Sequence, residues 1–405
     1  MLTLFIAAAL SLAPSEAPPA TTACTSSAVQ TTALPATLPV EVWNNHIYVK
    51  VCVAERELDF ILDTGAGGTA LDYSIAKQLG VRFGQTFTVG GAGAGRVAGA
   101  RVEDVSATLI GSSIAQHVVT AIDLSRLPPR EGHRMDGILG DDFIARYVVA
   151  IDYAHSELRL YDHDRFHYDG PGTSVPLTLI NRFPHIDAAV KLADGETLRG
   201  RFVVDVGSGA GLTLTKPFVD DNRLRDRVGP TLRRSGSGGV GGTTTTEIGR
   251  LSSLSIGGIE LARPIVQLFG DSAGVMSQRG AWVGNIGGGI LRRFTVLFDY
   301  QAKRMIVEAN ASIAEPFDAD MSGAALVTDD SLSSIIVDAV APGSPAAEAG
   351  LVRGDVVVSV DGAPVSRTVL GELRERLRRP GEHIQLVVRR NDEAKQIEIV
   401  TRRLV

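Results

Sequence analysis

Two short phrases in the chain each carry an acid to the end of an apolar strand. Phe60-Ile61-Leu62-Asp63-Thr64-Gly65-Ala66 recurs as Phe202-Val203-Val204-Asp205-Val206-Gly207-Ser208. Two carboxylates held close together resist double ionisation, because the second negative charge is repelled by the first. Such a pair shares a proton and titrates as a unit, so it supplies a base and an acid at once. That chemistry hydrolyses an amide through an activated water, without a covalent intermediate. Asp63 and Asp205 are therefore the candidate catalytic residues. Gly65 and Gly207 are expected to let the chain turn sharply so that each acid points into a cleft. The hydroxyl of Thr64 is expected to tie one turn to the opposite half. Val206 keeps the shape of threonine without the hydroxyl, so the matching tie is expected to be absent. A single Asp-x-Gly after a strand is only an ordinary turn, with the acid accepting local N–H groups.

The weight comes from the elements that must position these acids. Gly137-Ile138-Leu139-Gly140 leads to Phe143, Arg146-Tyr147 and Val149-Ala150-Ile151-Asp152-Tyr153. Gly284-Asn285-Ile286-Gly287 leads in the same order to Ile290, Arg293-Phe294 and Val296-Leu297-Phe298-Asp299-Tyr300. The acid phrases lie 142 residues apart (63 to 205) and the second landmarks 147 apart (140 to 287). Two landmarks in one order with five residues of drift mark a duplicated unit. Each half also carries a glycine-dense segment, residues 90–96 and 235–242, suited to a hairpin that folds over a cleft. No helix start follows either one, which argues against phosphate-cradling loops.

The 405 residues are enough for two or three cores. Aromatic residues make up 5% of the chain against 44 glycines, a balance that favours a turn-rich, mainly β protein. Net charge is −6 with no Lys/Arg run, so nucleic acid is not an expected partner. Leu2 to Ala13 is apolar but too short to span a bilayer, and small residues follow it. Residues 1–20 read as a signal peptide, although no basic residue precedes the apolar run. Export to the periplasm or cell surface is expected, with no transmembrane span in the mature chain. Residues 21–39, rich in Ala, Thr, Ser and Pro, read as a flexible leader. Cys24 and Cys52 allow at most one disulfide, which the sequence alone does not require. Short apolar runs such as 47–53 and 57–62 read as strands, and Ser74 to Leu79 as a helix ended by Gly80.

These residues together resemble a retropepsin-like aspartic protease with both lobes in one chain, over roughly residues 38 to 310. The resemblance implies a bilobal all-β fold with an N-lobe at 40–169 and a C-lobe at 170–312. It also implies Asp63 and Asp205 as catalytic acids, flanked by Thr64, Gly65, Ala66, Val206, Gly207 and Ser208, and flaps formed by the glycine-dense segments. No Tyr lies in either flap, which is closer to the retroviral and bacterial branch than to pepsin. The family's apolar-apolar-Gly motif is intact at Ile138-Leu139-Gly140 and departs in the second lobe, where Asn285 precedes Ile286-Gly287. Polypeptides are the implied substrates.

From about Pro316 the pattern changes. Ser344-Pro345-Ala346-Ala347, Gly350-Leu351-x-x-Gly354-Asp355 and Val360-Asp361-Gly362, with a helix at 369–378 and two closing strands, resemble a PDZ domain over residues 318–405. The resemblance implies that a C-terminal peptide ligand adds as a strand at a sheet edge. Its carboxylate would sit on backbone amides near Ser322, Gly323 and Ala324, with Leu326 lining the pocket or serving as core.

Two other patterns compete. Gly270-Asp271-Ser272-Ala273-Gly274 fits a serine nucleophile motif, but no strand-turn-helix context surrounds it, so a serine hydrolase using Ser272 is the lesser reading. His163 and His167, with Asp162 and Asp164, have a metal-like spacing but read as a solvated joint between lobes. No metal and no cofactor are expected. A protease fold with a silent dyad, acting as a peptide-binding scaffold, is the alternative of a different class.

Overall fold

The structure, a computed structural model, describes Cys24 and residues 34–405 except Ser366. Residues 1–20, read in the sequence as a signal peptide, and most of the expected leader lie outside the described residues. Cys24 is disulfide-bonded to Cys52.

The first lobe is built on an eight-stranded sheet in the order Glu41–Trp43, His46–Val53, Arg56–Leu62, Gly137–Leu139, Ala70–Asp72, Ala115–Ile122, Arg96–Leu109, Arg82–Gly90. A further pairing of His46–Val53 with Arg96–Leu109 curls this sheet towards a barrel. Strand Arg56–Leu62, whose last five residues are all buried, delivers Asp63. It runs parallel to Gly137–Leu139, with Phe60 opposite Gly137 and Ile61 opposite Ile138. The Phe60 ring lies where a side chain on residue 137 would stand, which leaves room only for glycine.

The second lobe repeats this arrangement. Strand Thr197–Asp205 runs parallel to Gly284–Gly287, with Phe202 opposite Gly284 and Val203 opposite Asn285. A Cβ on Gly284 would come within 2.9 Å of the Phe202 ring. The same aromatic–glycine pairing in both halves is the geometric signature of the duplication read in the sequence. Helix Tyr73–Gln78, capped by the Asp72 carboxylate and ended at Gly80 (φ 69°), forms where the sequence places it.

A six-stranded sheet joins the halves in the order Ala36–Pro39, Glu157–Tyr161, Val148–Asp152, Phe294–Asp299, Arg304–Ala309, Thr173–Pro176. Its central pair is antiparallel, matching Val149 to Phe298 and Asp152 to Thr295. These are the strands that follow the two glycine landmarks. The main core runs unbroken from Phe60 and Phe143 in one half to Phe202 and Phe294 in the other.

The C-terminal unit has its own core and its own sheet, ordered Ala324–Thr328, Ile335–Val340, Val356–Val360, His383–Arg390, Glu393–Val400. Its longer helix spans Arg367–Arg376, two residues earlier at each end than the sequence pattern indicates. Arg293, only 1% exposed, secures the connection to this unit. Its guanidinium lies 3.6 Å from the centre of the Phe317 ring and donates to the carbonyls of Ser312, Glu315 and Pro316. Burial lowers its pKa to about 10, so it stays charged at neutral pH.

A second attachment is made from the unit's helix. Arg374 donates to the carbonyls of Arg130, Glu131 and Leu326, joining the first lobe's short helix Pro128–Glu131 to strand Ala324–Thr328. Thr328 Oγ1 adds a bond to the Pro129 carbonyl. No helix among the described residues is long and apolar enough to cross a membrane.

Candidate active site

Asp63 and Asp205 stand at matching strand ends, and the two loops that follow them meet. Gly65 N–H donates to Asp63 Oδ1 (2.7 Å), and Gly207 N–H to Asp205 Oδ1 (3.0 Å). Each glycine also faces the other acid. A Cβ on Gly65 would lie 2.9 Å from the Asp205 carboxyl carbon, and one on Gly207 would collide with the Asp63 carboxyl. Neither glycine adopts a positive φ. Their smallness therefore clears space for the opposite carboxyl, and the sharp turn expected from the sequence is not what requires glycine here.

Burial first, and then the Asp205 charge, hold the Asp63 carboxyl well above the usual carboxylate range. Two carboxyls brought this close resist double ionisation.

The supporting residues divide as the sequence indicated for Thr64 and Val206. Thr64, fully buried, donates from Oγ1 to the Val204 carbonyl (2.7 Å) and accepts from Val206 N–H (3.0 Å). Val206 is also fully buried, sits in the apolar core and returns no such bond. Ala66 and Ser208 act through their backbones. The Ala66 carbonyl accepts from Asp141 N–H and the Ser208 carbonyl from Gly288 N–H, docking each acid loop onto the short helix behind it. Among the described residues the Ser208 hydroxyl bonds neither acid. Across the lobes, Asn45 Nδ2 donates to the Gly209 carbonyl (2.8 Å), and within the first lobe Asn44 Nδ2 donates to Glu131 Oε2 (2.7 Å).

Sequence reasoning missed three residues around this pair. Asn285 Nδ2 donates to Asp205 Oδ2 at 2.6 Å. Tyr153 and Tyr300, at matching positions after the two landmarks, bury hydroxyls that have no partner in the structure. Burial and then the nearby acids raise both phenols, Asp205 acting on Tyr153 and Asp141, Asp63 and Asp205 on Tyr300. Both phenols therefore stay neutral. The recurrence of Tyr after the Ile-Asp and Phe-Asp pairs was the available signal.

A cavity of about 1250 Å³ surrounds the acids. Its roof is formed by the two glycine-dense hairpins, whose tips bond each other: Gly93 N–H to the Val240 carbonyl (2.9 Å) and Gly95 N–H to the Gly241 carbonyl (2.7 Å). Strand Ala324–Thr328 of the C-terminal unit contributes residues 324–327 to the same wall. The amides expected to receive a peptide carboxylate already have partners. Asp320 Oδ1 accepts from the N–H groups of Ser322 (3.1 Å) and Gly323 (2.7 Å), and Ala324 N–H donates to Ser322 Oγ. Leu326 is 8% exposed and belongs to the unit's core, while its carbonyl is held by Arg374.

Ser272 is exposed, and no histidine bonds it among the described residues. His163 lies 3.7 Å from Asp299, and no group of three or more potential metal ligands occurs among the described residues.

A search of solved structures returns an aspartic proteinase from Irpex lacteus, 14% identical with a TM-score of 0.43, covering 69% of this chain and 98% of that one. No curated protein sequence matches the chain. Family models match it in two places: residues 49–143 to the aspartyl protease model and residues 336–390 to the PDZ domain model. By these matches the chain carries a segment similar to the retropepsin-like aspartyl protease family, followed by one similar to the PDZ domain family.

Proposed function

We propose that the protein is an aspartic endopeptidase in which Asp63 and Asp205 activate water against a peptide bond. The observation that carries this reading is the pair of carboxyls brought together from two lobes. Each is held by its own loop's N–H and faces the other lobe's glycine. In the cleavage step one acid takes a proton from water as it attacks the carbonyl carbon. The other gives its proton to the carbonyl oxygen, leaving a neutral tetrahedral diol. The proton taken from water then passes to the departing nitrogen while the other acid takes a proton back from a diol hydroxyl, so the C–N bond breaks and the shared-proton pair is restored.

The roof of paired hairpins encloses the substrate and excludes water. The 1250 Å³ cavity has room for several residues of an extended chain, and its size supports polypeptide substrates. In this reading residues 40–169 and 170–312 are the two lobes, and residues 318–405 are the PDZ unit, which forms the far wall of the cleft. A peptide terminus that docks at Ser322, Gly323 and Ala324 has to displace the Asp320 carboxylate. The Cys24–Cys52 disulfide supports an oxidising location such as the periplasm or cell surface.

The test is cleavage of a mixed unfolded-peptide library from acid to neutral pH, comparing the protein with Asp63→Asn, Asp205→Asn and Ser272→Ala. Loss in both Asp variants alone is the expected result. Cleavage that survives both Asp substitutions overturns the dyad, and its loss in Ser272→Ala transfers the role to that serine. Binding of peptides with no cleavage by any form supports the scaffold instead.

A further inference from the structure

The duplicated lobes present unlike residues to their acids. Ile138 and Asn285 hold the same register position, opposite Ile61 in one lobe and opposite Val203 in the other. Ile138 is buried and apolar, whereas Asn285 turns its amide to Asp205, Nδ2 to Oδ2 at 2.6 Å. Its Oδ1 is shut off from solvent with no partner in the structure. Packing alone does not retain a part-buried, half-satisfied amide where the sister lobe uses isoleucine.

We propose that Asn285 is a positioning residue that fixes the roles within the pair: its amide holds Asp205 as the ionised base and leaves the shared proton on Asp63. The proposal rests on the dyad reading above.

The hydrogen-bond pattern carries it. Asp205 accepts on both oxygens, from Gly207 N–H on Oδ1 and from Asn285 on Oδ2. Asp63 draws on backbone N–H groups, Gly65 to Oδ1 and Ala66 beside it, and among the described residues no side-chain amide reaches its carboxyl. Donors directed at both oxygens stabilise the charged form of a carboxyl, so the anion settles on Asp205. The titratable groups facing Asp205 are Asp63 and the phenols of Tyr153 and Tyr300, and the phenols stay neutral. None of them opposes the assignment. In the reaction, the water proton goes to Asp205 and the Asp63 proton goes to the substrate carbonyl oxygen.

Two measurements test this. Full-length protein labelled with ¹³C at the aspartate carboxyls is titrated by NMR, with the two signals assigned through Asp63→Asn and Asp205→Asn. Asp205 is expected to carry the charge at lower pH than Asp63, and equal or reversed order overturns the proposal. In Asn285→Leu the acid limb of kcat/KM, which reports ionisation of the base, is expected to move up by about one pH unit. An unmoved limb in the folded variant also overturns it. If Asn285→Leu does not fold, the titration of the unmodified protein decides. Cleavage that persists in Asp63→Asn and Asp205→Asn removes the dyad reading itself. Loss there with an unmoved acid limb removes only the role given to Asn285.

Discussion

Replacing Thr64 with valine removes the hydroxyl whose two bonds cross between the acid loops. The substitution keeps the volume and deletes the hydroxyl. Two buried groups then lose their partner: the Val204 carbonyl, now at 2.7 Å from Oγ1, and the Val206 N–H, now at 3.0 Å. Leaving a buried polar group unpaired costs about 1–3 kcal/mol. The extra methyl recovers part of this, so the net loss is about 2–4 kcal/mol for local opening of the two loops. At 1.36 kcal/mol per factor of ten, amide exchange in residues 202–208 should rise about 30- to 1000-fold. Hydrogen exchange read by mass spectrometry on peptides covering the two acid loops is the suitable assay. A global midpoint would mix the protease lobes with the separately cored PDZ unit. Thr64→Ser keeps both bonds and should change exchange by less than about tenfold. Unchanged exchange in a folded Thr64→Val would refute the view that this hydroxyl holds the loops together.

Stability should also depend on pH through Asp63. Its folded pKa is raised above the ordinary 3.8, so its contribution is complete below that value and is lost as pH rises through the folded value. Asp63→Asn cannot ionise there, so its melting temperature should gain on the unmodified protein from acid to neutral pH. Parallel curves would contradict the assignment. Asp320→Ala frees the amides of Ser322 and Gly323 and should tighten binding of a labelled peptide with a free C-terminal carboxylate by about tenfold or more. An amidated peptide is the control, and equal affinity for both proteins in fluorescence anisotropy would count against self-capping. Arg374→Ala removes three bonds to carbonyls and should speed limited proteolysis between the lobes and the PDZ unit by about tenfold. An unchanged digestion rate would show that Arg374 does not secure the unit.

What could be read from the sequence was local or repeated. Phe60 to Gly65 and Phe202 to Gly207 announce strand, acid and loop within seven residues, and the second landmark announces the duplication. The reason for the glycines was not legible. Nothing local to Gly65 shows that Asp205 will lie 2.9 Å from its missing Cβ. Asn285 stood out as a polar residue in an apolar motif, but its role depends on a carboxylate 80 positions away. The docking of Arg374 on Glu131 spans 243 positions and has no periodic pattern behind it. The same holds for the meeting of the hairpin tips, where small residues specify only that close approach is allowed. Asp320 lies just two residues before Ser322, yet its capping role needed the fold of the whole unit to become visible.

The sheet that joins the halves bears on how the chain is made. Strand Val148–Asp152 has its central partner in Phe294–Asp299, so the first half leaves the ribosome with an open edge and an unfinished core. At ordinary rates of synthesis, that partner arrives on the order of ten seconds later. Asp205 emerges during the same interval, and its loop is fixed only when Gly284–Gly287 pairs beside it. Nascent chains and truncated products ending before residue 284 therefore lack an assembled pair of acids. An unfinished copy therefore keeps its two acids apart until the second half has paired.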